Sequence, residues 1–154
     1  MIGQLTDISS APPELIASAS LIVETRGREF VEITREVEQF VMRIGAESGA
    51  LLIFLRHTSA SLLIQENADL TVREDLTMAL SRLAPIGAGW AHELEGADDM
   101  PAHVKTALTG VSLHVPVIDR ALALGTWQGI YLVEHRHRPH RREVLLQFIG
   151  SKHG

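Results

Sequence analysis

No cysteine occurs among the 154 residues. Disulfides, thiolate nucleophiles and cysteine-ligated zinc are thereby excluded, and any metal site has to be built from imidazole, carboxylate and water. No apolar run approaches the length of a membrane span. The opening M-I-G-Q-L-T-D has neither the basic flank nor the apolar stretch of a signal peptide, so a cytoplasmic protein is expected. Positive charge is in short supply as well: a net charge of -5 argues against a general binder of nucleic acid or anionic membrane. Three catalytic signatures are missing. There is no G-x-S-x-G turn for a serine nucleophile, no H-E-x-x-H zinc helix and no glycine-rich loop to cradle phosphates. Aromatics are sparse, with one tyrosine and two tryptophans, yet there are eight histidines. The chemistry of this chain has to be sought in its histidines.

A chain of this length is most simply one domain. Residues 1–19, with their Ser, Ala and Pro12-Pro13, read as a weakly structured leader, and 20–154 as a single domain. Ser20–Thr25 and Glu29–Ile33 read as a hairpin around Gly27. Thr34 opens a helix with Val37, Phe40, Val41 and Ile44 on one face, ended by Gly49. Ala50–Leu55 is a continuous apolar run, the pattern of a strand covered on both faces, and Ala60–Ile64 follows. Asn67 or Asp69 caps a second helix that buries Val72, Leu76, Ala79 or Leu80, and Leu83. A third helix turns Val104, Ala107 and Leu108 inward and ends at Gly110. Ser112–Val117 alternates, Ala121–Leu124 and Ile130–Val133 read as a hairpin, and Glu143–Ile149 is the last strand. Seven or eight strands with about three helices predict an α+β fold with mostly antiparallel sheets. Apolar strands this long in so small a chain also suggest a surface covered by another subunit.

The stretch H-E-L-E-G-A-D-D-M-P-A-H, from His92 to His103, puts two imidazoles and four carboxylates around Gly96. Pro101 suits a helix start, and Asp98 and Asp99 fall where the helix dipole favours anions. It is either a solvated acidic loop with a good cap or part of a metal or phosphate site. His57 continues the apolar face of Ile53 and Leu55, as a hydrogen-bonded core histidine or a functional one among the hydroxyls of Thr58, Ser59 and Ser61. Tyr131, Val133 and His135 share one strand face; Glu134 and Arg136 share the other, as a surface ion pair or as site groups. The basic run from Arg136 to Arg142 reads as a solvated hairpin loop rather than a nucleic-acid patch. His57, His92, His103 and His135 thus come from four separate segments, each near an element end, which points to one convergent site.

The words H-T-S-A at 57–60, Q-E-N-A-D at 65–69, D-D-M-P-A-H at 98–103, L-G-T-W-Q-G at 124–129 and E-H-R at 134–136 closely resemble the YjbQ-like (UPF0047) family. They run in the family's order, and the resemblance spans Ser20 to Gly150. Members are often labelled secondary thiamine-phosphate synthase. The resemblance implies an α+β homotrimer with a histidine-lined site able to hold a metal. Among the four convergent histidines, the expected ligands of one divalent ion are His92, His103 and His135. Zinc comes first, with magnesium or manganese as alternatives. His57, Glu134 and Asp98 are the expected acid–base or orienting groups. Thr58, Ser59, Asn67, Thr126, Trp127, Gln128 and Arg136 are the expected contacts to a small phosphorylated ligand, with Trp127 as readily a structural turn residue.

If the label holds, the reaction joins a pyrimidine diphosphate to a thiazole phosphate. Such a transfer needs cations on the leaving diphosphate, for which Arg136, Lys105 and a metal are available. The alternatives are a metal-dependent hydrolase or lyase of a small phosphorylated compound, and a non-catalytic trimer that binds a metal or small ligand.

Overall fold

The computed structural model describes residues 3–5 and 7–154. Along the chain run β1 (Leu15–Glu24), β2 (Glu29–Glu32), α1 (Thr34–Arg43), β3 (Ala46–Leu55), β4 (Ala60–Glu66) and α2 (Leu70–Leu83). Then come α3 (Asp99–Thr109), β5 (Ser112–Ile118), β6 (Ala121–Leu122), β7 (Gln128–Glu134) and β8 (Arg141–Lys152). This is the α+β architecture, with three helices and wholly antiparallel pairing among the described residues. No helix among the described residues is long and apolar enough to cross a membrane.

The strands form two sheets, one in the order β1-β8-β3-β5-β6 and the other in the order β2-β7-β4. Alternation aims Leu51, Ile53, Leu55, Val115, Val117, Val144, Leu146 and Phe148 of the larger sheet into a common core. Ala60, Leu62, Ile130 and Leu132 of the smaller sheet meet them there, with Val37, Phe40 and Val41 of α1 alongside. Each fully buried side chain of this size contributes roughly 1.5–3 kcal/mol. Helix α3 packs against β4, and Arg73 of α2 lies over the ring of Tyr131. The second face of β7 is therefore covered by helices, which is why every residue from Gly129 to His135 is buried.

Several local expectations need correction. Strand β1 begins at Leu15, five residues inside the stretch read as a leader, because Leu15, Ala17, Leu21 and Val23 already turn inward against β8. The expected first hairpin does not form, since β1 and β2 belong to different sheets. Helix α1 gives way to Gly45, at φ +66°, and not to Gly49, which lies within β3. There Gly49 faces Gly150 across the ladder, and a side chain on either would strike the backbone opposite and the Phe148 ring. Strand β3 is covered on one face only: Phe54 and, in part, Leu52 look outward from the large sheet. Helix α2 buries no residue, and Leu83 is exposed. The second expected hairpin is replaced by a two-residue turn at Asp119-Arg120 that joins β5 to β6, with both residues at positive φ.

Helix α3 departs most from expectation. Val104, Ala107 and Leu108 do not form its buried face; Asp99, Ala102, Lys105 and Thr106 do. A helix that turns a carboxylate, an amine and a hydroxyl inward needs polar partners beneath it.

Candidate metal centre

The partners of Asp99 define the site. This carboxylate is only 2% exposed and sits in the first turn of α3, after Gly96 (φ +112°) has turned the acidic loop. Its Oδ2 lies 2.8 Å from Nε2 of His92 and 3.4 Å from Nε2 of His103. Asp99 and His103 are four residues apart in one helix, which sets both side chains on the same face. The loop returns His92 against them, with the two imidazole rings 5.5 Å apart. One ligand atom from each of the three residues falls within 4.8 Å of the others.

The tautomer of His103 is set by its neighbour. Nδ1 donates to the carbonyl oxygen of Thr58 at 2.9 Å, so Nε2 is the nitrogen turned to Asp99. In its neutral form the ring presents a lone pair to a carboxylate oxygen. Two like electron-rich atoms at 3.4 Å call for a proton or a cation between them. The other oxygen of Asp99 accepts from Arg136 Nη1. Arg136 also donates from Nε to Asp98 at 3.1 Å and from Nη2 to the Glu95 carbonyl at 2.8 Å. The expected phosphate contact Arg136 is thus committed to internal partners that hold the acidic loop. Asp98 accepts further from His137 N–H at 2.8 Å. Burial pushes its carboxyl up, but these bonds outweigh burial and hold it below the ordinary value.

His135 lies outside the group. It is buried on the face it shares with Tyr131 and Val133, and its Nε2 is hydrogen-bonded to Ser61 Oγ at 2.8 Å. Burial, with Lys105 nearby, lowers its pKa to about 4. Glu134 is not half of a surface pair with Arg136. It is sealed inside and takes Arg142 Nη2 at 2.6 Å, Arg142 Nε at 2.7 Å, Thr25 Oγ1 at 2.9 Å and the Arg136 N–H at 3.0 Å. Burial alone would raise this carboxyl; the bonds from Arg142 and its other donors bring it below normal. The basic run is consequently not all solvated, because Arg142 is buried and also donates to Ser59 Oγ at 3.1 Å.

His57 accepts from the Glu143 N–H through Nε2 at 2.9 Å, and its Nδ1 lies 3.4 Å from Arg142. Burial and the Arg142 charge lower its pKa, so the ring is a neutral bridge between strand ends. It also lines a cleft of about 580 Å³, with Phe54, Arg56, Thr58, His103, Ala107 and Val111 among the other walls. His103 therefore belongs to both the metal group and the cleft. Asn67, Thr126, Trp127 and Gln128 lie elsewhere. Glu66 pairs with Gln128 at one end of the β4–β7 ladder, whereas Ala60 pairs with Glu134 at the site end, about 20 Å along the strand. Trp127 is 63% exposed there, and Gln128 closes its own turn onto Gly125 N–H. The residue missed from the sequence is Asp99. Its signal was the D-x-x-x-H spacing to His103 across one helical turn.

A profile of the family described as UPF0047 protein YjbQ-like matches residues 19–151. The UPF0047 protein sll1880 of Synechocystis sp. is 44% identical over 145 residues, which is 94% of this chain and 99% of the relative. The UPF0047 protein YjbQ of Salmonella typhimurium is 41% identical over 133 residues, or 86% and 96% of the two chains. A crystal structure of a hypothetical protein from Aeropyrum pernix matches with a TM-score of 0.81 at 30% identity, covering 88% of this chain and 99% of that one. A conserved hypothetical protein from Thermus thermophilus matches with a TM-score of 0.75 at 38% identity, covering 84% and 98%.

Proposed function

The chain belongs to the UPF0047 YjbQ-like family, and from that premise we propose that it is a divalent-metal-dependent hydrolase or lyase of a small phosphorylated compound, with His92, Asp99 and His103 as ligands. One observation carries this reading: His103, pinned through Nδ1 by the Thr58 carbonyl, turns Nε2 onto a buried carboxylate that a second imidazole also reaches. Two imidazoles and one carboxylate suit zinc better than magnesium or manganese, which prefer oxygen donors, and leave positions open for substrate. A divalent ion held there would supply Lewis acidity toward a phosphoryl oxygen or a water molecule.

The protein's own groups do the rest. Arg136 holds Asp99 Oδ1, so only Oδ2 is offered to the site. Thr58 keeps the His103 ring from rotating, and the mainly apolar walls of the neighbouring cleft exclude water around the body of a bound ligand. Asp98 positions Arg136, and Glu134 anchors Arg142, so both carboxylates act by holding other groups in place. We also read the assembly as a homotrimer, in keeping with the apolar outer residues Ile16, Ile22, Phe54 and Ile149 of the large sheet.

The synthase reaction implied by the family label fits less well. It needs cations at the leaving diphosphate, and Arg136 already has three nitrogens engaged with Glu95, Asp98 and Asp99. The test is to incubate zinc-loaded protein with p-nitrophenyl phosphate and, separately, with the pyrimidine diphosphate and thiazole phosphate pair. Ester hydrolysis that is absent from Asp99→Asn supports the proposal. Thiamine phosphate as the only product would replace it with the transferase, and no turnover of either would favour a ligand-binding trimer.

A further inference from the structure

A second, narrow pocket of about 20 Å³ is lined by Arg28, Glu29, Thr77, Lys105 and His135 among others. Lys105 comes from the buried face of α3 and is only 5% exposed. Among the described residues its ammonium has neither a hydrogen-bond acceptor nor an ion-pair partner. Its Nζ is not sealed from solvent, so the charge is met by water in the pocket and not by a protein counter-charge. The carboxylates nearby do not provide one. Asp98, whose charge reaches Lys105, is held by Arg136 and the His137 N–H; Glu134 is neutralised by Arg142, and Glu29 Oε1 accepts from the Arg26 N–H. His135 Nδ1 also has no partner among the described residues. Among the described residues Ser61 has no other side-chain bond, so its hydroxyl can donate to Nε2 and leave the ring proton on Nδ1. Arg28 adds a guanidinium at the exposed rim, bonded among the described residues only to Ser81 Oγ at 3.3 Å.

We propose that this pocket is an oxyanion site, in which one oxygen of a phosphate or carboxylate group enters between Lys105 Nζ and His135 Nδ1 while the remainder faces Arg28. The volume decides how much enters: it holds about one water-sized atom, so a single oxygen fits and a whole phosphate does not. The site is separate from the metal group, because Lys105 and His135 point into this pocket whereas His103 lines the larger cleft. It therefore stands whether or not His92, Asp99 and His103 hold an ion.

The experiment is titration of the full chain with inorganic phosphate, followed calorimetrically, in zinc-loaded and chelator-treated protein. One phosphate per chain should bind to this pocket in both forms, a second phosphate in the zinc-loaded protein alone being one held by the ion. Lys105→Met should weaken the pocket phosphate by at least about tenfold, as expected for a lost charge-assisted bond, and Arg28→Ala by a few fold. Asp99→Asn should leave it within about twofold. Competition by acetate at similar concentration identifies a carboxylate as an equal occupant, and failure of acetate to compete restricts the site to phosphoryl groups. Phosphate binding that is absent without zinc, that is lost in Asp99→Asn, or that is indifferent to Lys105→Met would overturn the assignment. Should Lys105→Met not fold, unchanged affinity in the rim variant Arg28→Ala would do the same.

Discussion

His103 gives its Nδ1 proton to the backbone carbonyl of Thr58 at 2.9 Å, and that one bond turns a helix histidine into a prospective ligand. Thr58 directly follows His57 at the entrance to β4, and α3 crosses this strand end, where Thr106 also donates to the Ala60 carbonyl. The packing of α3 on β4 and the orientation of the imidazole are thus one structural fact. Metal binding would displace any proton from the two rings, so acidification should release the ion.

Arg136 acts on the site through Asp99, the residue whose far oxygen it holds. Lysine keeps the charge but loses the fork that reaches Asp98, Asp99 and Glu95 together. Arg136→Lys should lower zinc affinity by about 10- to 100-fold, measured by chelator competition. Unchanged affinity in a folded variant would show that Asp99 needs no such support.

Glu134 and Arg142 form the buried ion pair that joins β7 to β8 and reaches Thr25 and Ser59. Removing one partner strands the other charge in the interior. Arg142→Met should cost about 3–5 kcal/mol in urea denaturation, and the double variant Glu134→Leu/Arg142→Met clearly less than the sum of the two single changes. Additive losses would mean that the two residues act independently.

His135 should make stability depend on acidity. Its pKa falls from 6.5 to about 4 on folding, so below pH 6.5 the unfolded chain takes up the proton first. The neutral ring's contribution is complete above pH 6.5, declines as the pH drops toward 4, and is gone below that. The loss amounts to roughly 3 kcal/mol. Denaturation of wild type and His135→Gln at pH 7 and pH 4.5 checks this: the variant should show a shallower decline, and parallel curves would assign the acid sensitivity to other groups.

How much of this could be read beforehand depended on the kind of pattern. The 3.6-residue spacing of Val37, Phe40 and Val41 located α1, and the alternation of Leu113, Val115 and Val117 located β5, because apolar periodicity reports directly on a buried face. Sheet membership was hidden. Gly27 looks like a hairpin turn in sequence, and only the backbone of His137 packed against it shows that the chain passes between sheets there. At the site, the stretch from His92 to His103 was visible through its charge. The choice between His135 and Asp99 was not, since strand alternation says which face a histidine takes and nothing about what lies across from it. Asp99 resembled a helix-dipole residue, and its burial by Arg136 is a long-range contact that no local pattern encodes.

The proposed trimer has a direct test. Sedimentation equilibrium at micromolar concentration should give three times the 16.9 kDa chain mass. A single-chain mass would leave the apolar outer face of the large sheet exposed to solvent and rule the trimer out.

His92, Asp99 and His103 are proposed to bind one divalent ion through ligand atoms that lie within 4.8 Å of one another. Metal content of freshly purified protein, determined by elemental analysis on wild type and three single variants at neutral pH, tests it most directly. About one zinc per chain is predicted in wild type and in His135→Ala, with loss of that ion in Asp99→Asn and His103→Ala. Full occupancy in Asp99→Asn together with loss in His135→Ala would contradict it.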